Sequence, residues 1–101
     1  MVLLWTQPAI DDLERIYRFL VSVNPLAAAG AVQSLVAAAK NLTVHPRSGT
    51  ALGAYHPRDV RRLILGHYEM RYEFQEETVS ILRIWHTREH RLINRTEPDK
   101  R

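Results

Sequence analysis

The sequence predicts an α+β domain with the element order β-α-α-β-β-β, in which a helical hairpin packs on one face of a mainly antiparallel sheet. Three observations support this fold class. Residues Tyr68 to Phe74 alternate apolar and charged side chains, as a strand with one buried face does. Ile10 to Val21 carries apolar residues at helical spacing. The pair Asn24-Pro25 then opens a long alanine-rich stretch suited to a second helix.

Composition limits the kinds of protein this chain can be. Its 101 residues suit one domain over residues 1–101, with about 92–101 as a frayed tail. The absence of cysteine excludes disulfides and thiolate metal sites, and the five histidines lack metal-ligand spacing. We therefore expect no metal and no cofactor. No apolar run approaches about 18 residues, so we expect a cytoplasmic protein without a membrane partner.

The amino-terminal third predicts a strand followed by a helix. Val2–Trp5 is a short apolar run whose length suits a strand, and we expect it to join the carboxy-terminal sheet. Thr6 is placed to cap a helix, with Pro8 in its first turn, and the helical pattern continues to about Val23. The stripe that should face the core consists of Ile10, Leu13, Ile16, Tyr17, Leu20 and Val21.

The second helix should run from Pro25 to about Thr43, with Asn24 as its cap. Its core stripe is predicted to contain Leu26, Val32, Leu35, Val36, Ala39 and Leu42. No charged residue occurs from Pro25 to Ala39, and most other positions are alanine. Two interpretations stay open: a helix packed closely between the sheet and the first helix, or a helix partly covered by another chain. Proline and glycine then predict a loop over Val44–Asp59.

The second half of the chain predicts a three-strand antiparallel meander. Val60–Leu65 and the strand from Tyr68 should be joined by a tight turn at Gly66-His67, where glycine supplies a positive φ. The charged residues Gln75–Thr78 predict a loop, and Val79–His86 predicts the last strand. The side chains expected to face the core are Tyr68, Met70, Tyr72 and Phe74.

The opposite set, Glu69, Arg71 and Glu73, predicts a solvated face with cross-strand ion pairs. Arginine supplies twelve of the fourteen basic residues, and its planar fork suits contacts to phosphate or carboxylate. A genome rich in G·C would also raise the arginine content. Basic side chains concentrate in this half of the chain at Arg58, Arg61, Arg62, Arg83, Arg88, Arg91 and Arg95.

Five short motifs together resemble toxins of the RelE/ParE superfamily from bacterial type II toxin–antitoxin modules. They are Ala9–Ile16, Asn24-Pro25-x-Ala27-Ala28, Val60-Arg61-Arg62-Leu63, Tyr68-x-x-x-Tyr72 and Ile81–Glu89. Each motif alone is weak, but all five occur in order, and the resemblance extends to about Arg91. It implies a small, acidic, partly disordered antitoxin as partner.

The resemblance implies three possible functions. A ParE-like toxin would bind DNA gyrase. A RelE-like toxin would be a metal-independent endoribonuclease acting on ribosome-bound mRNA, with His86, Arg62 and Arg88 as catalytic residues. A non-toxic member would only bind the antitoxin and act as a co-repressor. Glu69 favours the first, because the nucleases usually carry an arginine there. The residues expected to bind antitoxin or target are Arg61, Arg62, Arg71, Arg83, Arg88 and Arg91.

Overall fold

The computed structural model describes residues 1–87, and it confirms the predicted α+β class. Two helices pack against one five-stranded sheet of order β1-β5-β4-β3-β2. β1 runs parallel to β5, and the other neighbours are antiparallel. The elements are β1 (Val2–Trp5), α1 (Gln7–Val21), α2 (Pro25–Asn41), β2 (Thr50–Ala51), β3 (Val60–Leu65), β4 (Tyr68–Gln75) and β5 (Thr78–His86). The expected tail at 92–101 lies outside the described residues.

Both helix starts follow from their capping residues. The Thr6 hydroxyl accepts the Ala9 N–H at 3.3 Å, and it donates to the Ile81 carbonyl at 2.7 Å. It therefore caps α1 and ties the end of β1 to β5. The Asn24 side chain accepts the N–H groups of Leu26 and Ala27, so that α2 begins at Pro25. Each helix ends two residues earlier than predicted.

The first turn of the meander has the predicted length, and the second is tighter than the sequence indicates. Gly66 has a φ of 59°, as the predicted turn requires. Glu76 and Glu77 also have positive φ, which makes them a two-residue hairpin turn instead of the predicted four-residue loop. A further strand, β2, lies inside the predicted loop over Val44–Asp59 and pairs with Arg61 and Arg62.

The core lies between the helices and one face of the sheet. Leu35, Leu42, Met70 and Tyr72 are fully buried, as predicted. Three other predicted core residues, Leu13, Tyr68 and Phe74, pack partly buried at its margin. Neither helix of the described chain has the length and apolarity needed to cross a bilayer.

Three core predictions are wrong. Ile10 is 37% exposed near the start of α1. Tyr17 is 44% exposed, because it lines an open groove of about 420 Å³ together with Leu13 and Val32. Leu26 is 85% exposed in the first turn of α2. Helical periodicity identifies the inner face of a helix, but it does not show where the opposing surface ends.

Candidate functional site

Three arginines stand in one line on the sheet face that points away from the helices. Arg62 of β3 lies directly opposite Arg71 of β4, and Arg71 lies directly opposite Arg83 of β5. We call these three residues the arginine row. Like charges directly opposite one another destabilise a sheet, so the row requires compensating groups.

Arg71, at the centre of the row, is buried within a cluster of polar and aromatic groups. Its guanidinium donates to the Glu69 carboxylate at 2.9 Å and to the Tyr55 hydroxyl at 3.4 Å. It also stacks on the indole of Trp85, 4.8 Å from the ring centroid. The ion pair and the ring contact together stabilise a charge that would otherwise be costly to bury.

The prediction of a solvated face is therefore wrong for Glu69 and Arg71, which are only 2% and 8% exposed. Alternation along β4 showed correctly that they lie opposite the core side chains, but alternation does not reveal whether a face meets water. Glu73 is less buried and holds Arg58 with two hydrogen bonds. The hydrogen bonds from Arg58 lower the pKa of Glu73 despite the opposing effect of burial.

Arg83 is held by Asp12 of helix α1. Two oxygens of the Asp12 carboxylate accept from the Arg83 guanidinium at 2.8 and 3.1 Å, and one also accepts the Ile84 N–H at 2.8 Å. Arg15 adds a third cation contact at 3.0 Å. Burial raises the pKa of Asp12, but the hydrogen bonds from Arg83, Ile84 and Arg15 outweigh it, and the pKa is lowered overall.

Arg62 is the exposed member of the row. Its guanidinium makes no hydrogen bond or ion pair with any other residue of the described part of the chain, 1–87. Arg61, its neighbour in sequence, points to the other face and is mostly buried, where it donates to Asp59 at 2.8 Å and to the Gly49 carbonyl at 3.0 Å. Arg61 therefore stabilises the loop before β3, whereas Arg62 is exposed on the opposite face.

A β-bulge determines on which face of the sheet the side chains at the end of β5 lie. Tyr72 pairs with Ile81, whereas Arg71 pairs with Arg83, so Leu82 is the extra residue. Continuous alternation from Ile81 would have placed Arg83 and Trp85 among the core side chains. The bulge reverses this order and brings both residues to the face of the arginine row.

The same bulge places His86 on the face opposite the row. His86 lies directly opposite Tyr68, contacts it edge to face at 5.5 Å between ring centroids, and stacks on His67 at 5.8 Å. Since Tyr68 shares the helix-facing side with Met70, the sheet lies between His86 and Arg62. The structure thus separates two of the residues predicted to be catalytic; the third, Arg88, lies outside the described residues, as does Arg91.

A family model described as "ParE toxin of type II toxin-antitoxin system, parDE" matches residues 3–91. The chain belongs to the ParE toxin family. A solved structure titled "Chromosomal ParDE TA system from P. aeruginosa" is similar to it, with a TM-score of 0.71 and 31% sequence identity over 85% of this chain and 95% of that chain. No curated protein is similar enough to count as a relative.

Sequence reasoning missed three residues that organise the site of this ParE-family toxin. Asp12 lies near the start of the first predicted helix, where sequence alone suggests only a favourable contact with the helix dipole, but it is the counter-ion of Arg83. Tyr55 fell in a predicted loop, and Trp85 gave no signal beyond strand propensity. Because an aspartate on the apolar side of a helix needs a partner, Asp12 is the one residue whose role the sequence could have suggested. Within residues 1–87, no three His, Asp or Glu side chains could share a metal ion.

Proposed function

We propose that this ParE-family toxin arrests growth by binding DNA gyrase, without catalysing a reaction, until a cognate antitoxin covers it in the cytoplasm. The observation that carries the proposal is the placement of Arg62 and His86 on opposite faces of the sheet. Family membership supplies the candidate target, and the geometry favours binding over chemistry.

RNA cleavage without a metal requires an acid, a base and cations gathered around one phosphate. Here His86 cannot reach a phosphate held by Arg62, since the sheet separates them. Arg71 is buried and already pairs with Glu69. Within the row, only Arg62 and the exposed side of Arg83 could therefore hold a phosphate, and both lie on the face opposite His86.

The same face suits the acidic groups of an antitoxin. Arg62 is exposed, and the Arg83 side chain is 44% exposed although it is paired with Asp12. We propose that carboxylates of an antitoxin segment, disordered when alone, pair with Arg62 and with the exposed side of Arg83 as the segment folds on the toxin. Arg61 and Arg71 would then support the surface without contacting the partner.

The proposal is tested by adding purified toxin to two assays, DNA supercoiling by gyrase and cleavage of ribosome-bound message. We expect supercoiling to stop while the message stays intact. Arg88→Glu and Arg91→Glu should each relieve the inhibition, since the ParE-like toxins that this chain resembles carry determinants of gyrase inhibition near the carboxy terminus. Arg18→Glu is the matched control, a charge reversal at an exposed position of α1, and should inhibit like the wild type.

Two other outcomes would overturn the proposal. Cleaved message with normal supercoiling would establish the endoribonuclease. Neither effect, combined with antitoxin binding and promoter repression, would establish the non-toxic co-repressor.

A further inference from the structure

Arg62 and Arg83 are the two members of the arginine row that a partner can reach, and strand pairing sets the distance between them. Both lie directly opposite Arg71, on either side of β4, so they are two strand spacings apart. Since neighbouring strands lie about 4.8 Å apart, the two Cα atoms are separated by about 10 Å. A partner that pairs with both guanidinium groups must match this distance along a line across the strands.

The centre of the row offers no accessible cation. Arg71 is 8% exposed and already pairs with Glu69. The Tyr55 hydroxyl lies beside it, 3.4 Å from the guanidinium. A segment that crosses the row therefore meets a cation at each end and an uncharged, partly aromatic surface between them.

The two sides of the row differ in chemistry. On one side, Arg58 holds the connection between β2 and β3 over the face through two hydrogen bonds to Glu73. On the other side, Ile64 lies two residues beyond Arg62 on β3 and is 52% exposed. A segment lying along the row is thus confined on one side and can pack apolar side chains on Ile64 on the other.

An α-helix matches the separation of the two arginines better than an extended strand does. Helical residues seven positions apart lie on the same side of the helix, about 10.5 Å apart along its axis. Helical residues four positions apart are separated by only about 6 Å. On one side of an extended strand, residues two or four positions apart are separated by about 6.7 or 13.4 Å.

We propose that the antitoxin binds the arginine row with an amphipathic helix that crosses the strands and carries two acidic residues seven positions apart, one for Arg62 and one for Arg83. The positions three and four residues after the first acid face Tyr55 and are uncharged. Because this helix occupies the surface proposed above for the antitoxin, it rests on that proposal and adds the form and spacing of the recognised segment.

Charge spacing also argues against a second copy of this chain as the partner. In α1 the residue seven positions after Asp11 is Arg18, and those after Asp12 and Glu14 are Phe19 and Val21. Helix α2 contains no acidic residue. Neither helix within residues 1–87 therefore carries the acidic pair that the row requires.

The first test measures the binding of synthetic peptides to the full-length toxin by titration calorimetry. An alanine-rich peptide carries two glutamates seven positions apart, with leucines three and four positions after the first. It should bind at least about tenfold more tightly than a peptide of the same composition with the glutamates four positions apart, because only the wider spacing forms both ion pairs. Circular dichroism checks that the two peptides are equally helical.

A third peptide keeps the wide spacing but has a proline midway between the glutamates. Since proline interrupts the helix, this peptide should bind about as weakly as the one with the narrow spacing.

The second test pairs a toxin variant with changes in the peptide. Arg62→Gln should weaken the widely spaced peptide by about tenfold, and changing one of its glutamates to glutamine should then have no further effect. Changing the other glutamate should weaken binding to both toxins alike, because that glutamate pairs with Arg83. Lys40→Gln, which removes an exposed charge from α2, is the matched control and should bind like the wild type. Circular dichroism checks that both variants are folded.

The helix is excluded if no peptide binds, if both spacings bind equally, if the proline peptide binds as tightly as the helical one, or if both glutamates depend equally on Arg62. An antitoxin that still required Arg62 after such a result would bind the row in another form, and the proposed function would stand. Gyrase inhibition is assayed without any peptide, so a failure there would contradict the proposed target and leave the peptide result unchanged.

Discussion

Asp12 binds helix α1 to a part of β5 that no strand of residues 1–87 covers on this side. β1 ends at Trp5, so the backbone of Ile84 would lack a partner at the sheet edge, and the Asp12 carboxylate accepts its N–H. Arg83 and Arg15 then neutralise the buried charge. One side chain thus completes the sheet edge, compensates one end of the arginine row and fixes the position of the helix.

The stability that Asp12 contributes should depend on pH in a defined direction. Because the folded-state pKa of Asp12 is below its ordinary value of 3.8, the carboxylate contributes stability above that value, and the contribution is lost as pH falls through the folded pKa. Asp12→Asn should lower the free energy of unfolding at neutral pH by about 1.5–3 kcal/mol. Urea unfolding at several pH values measures this difference, which should shrink in acid.

The control for this prediction is the neighbouring residue. Asp11 is exposed, and within residues 1–87 its side chain accepts a hydrogen bond only from Gln7. Asp11→Asn should change stability by less than about 0.5 kcal/mol at any pH. An equal loss in both variants would mean that helix electrostatics, and not the contact to β5, is responsible.

At the scale of elements, the loop between α2 and β3 is held against the sheet by Tyr72 of β4. The Tyr72 hydroxyl donates to the Pro46 carbonyl at 2.7 Å and accepts the Gly49 N–H at 2.9 Å. Gly49 passes so close that a Cβ there would lie 2.7 Å from both the Tyr72 oxygen and the Arg62 carbonyl. The chain can make this approach only with glycine.

Two alanine substitutions with opposite expected effects test this anchoring. Gly49→Ala should destabilise the fold by about 1–3 kcal/mol, since backbone and a buried ring must shift. Gly30→Ala in α2 meets nothing within 4 Å and should instead stabilise by about 0.4–1 kcal/mol through helix propensity. Thermal unfolding of both variants gives the measurement. A neutral Gly49→Ala would show that the loop is not held against the sheet.

The sequence predicts best those helix starts and turns that are determined by one or two adjacent residues. Thr6 and Asn24 set the helix starts, and Gly66 sets the first turn of the meander. β2 could not be predicted, because two residues carry no period and the strand exists only through pairing with Arg61 and Arg62. The tight turn at Glu76-Glu77 was missed because neither residue favours positive φ.

At the scale of the whole molecule, the site depends on register, which local sequence does not encode. The basic residues of the meander were visible, but their faces follow from strand pairing and from the bulge at Leu82. That single extra residue brings Trp85 onto Arg71 and places His86 on the other side. The composition of the site was thus predictable, whereas its division between two faces was not.

This division leads to a prediction that separates binding from chemistry. If the toxin acts by binding, His86→Gln should arrest growth as the wild type does, since no proton is transferred. Arg62→Glu should also arrest growth, but its affinity for the antitoxin should fall by about tenfold or more through charge repulsion. A nuclease would behave differently: His86→Gln would lose on the order of 10²–10⁴ in cleavage rate, because general acid catalysis contributes that much.

Growth arrest is measured by inducing the toxin with and without antitoxin. The affinity for the antitoxin is measured by titration calorimetry of the purified toxin and antitoxin. Lys40→Glu, an exposed charge reversal on α2, is the control for Arg62→Glu and should bind antitoxin normally. Loss of growth arrest in His86→Gln, with antitoxin affinity unchanged, would mean that His86 performs chemistry and that the face opposite the arginine row contains the site. If Arg62→Glu left the affinity for the antitoxin unchanged, the antitoxin would have to bind another surface, because Arg62 is the most exposed residue of the arginine row.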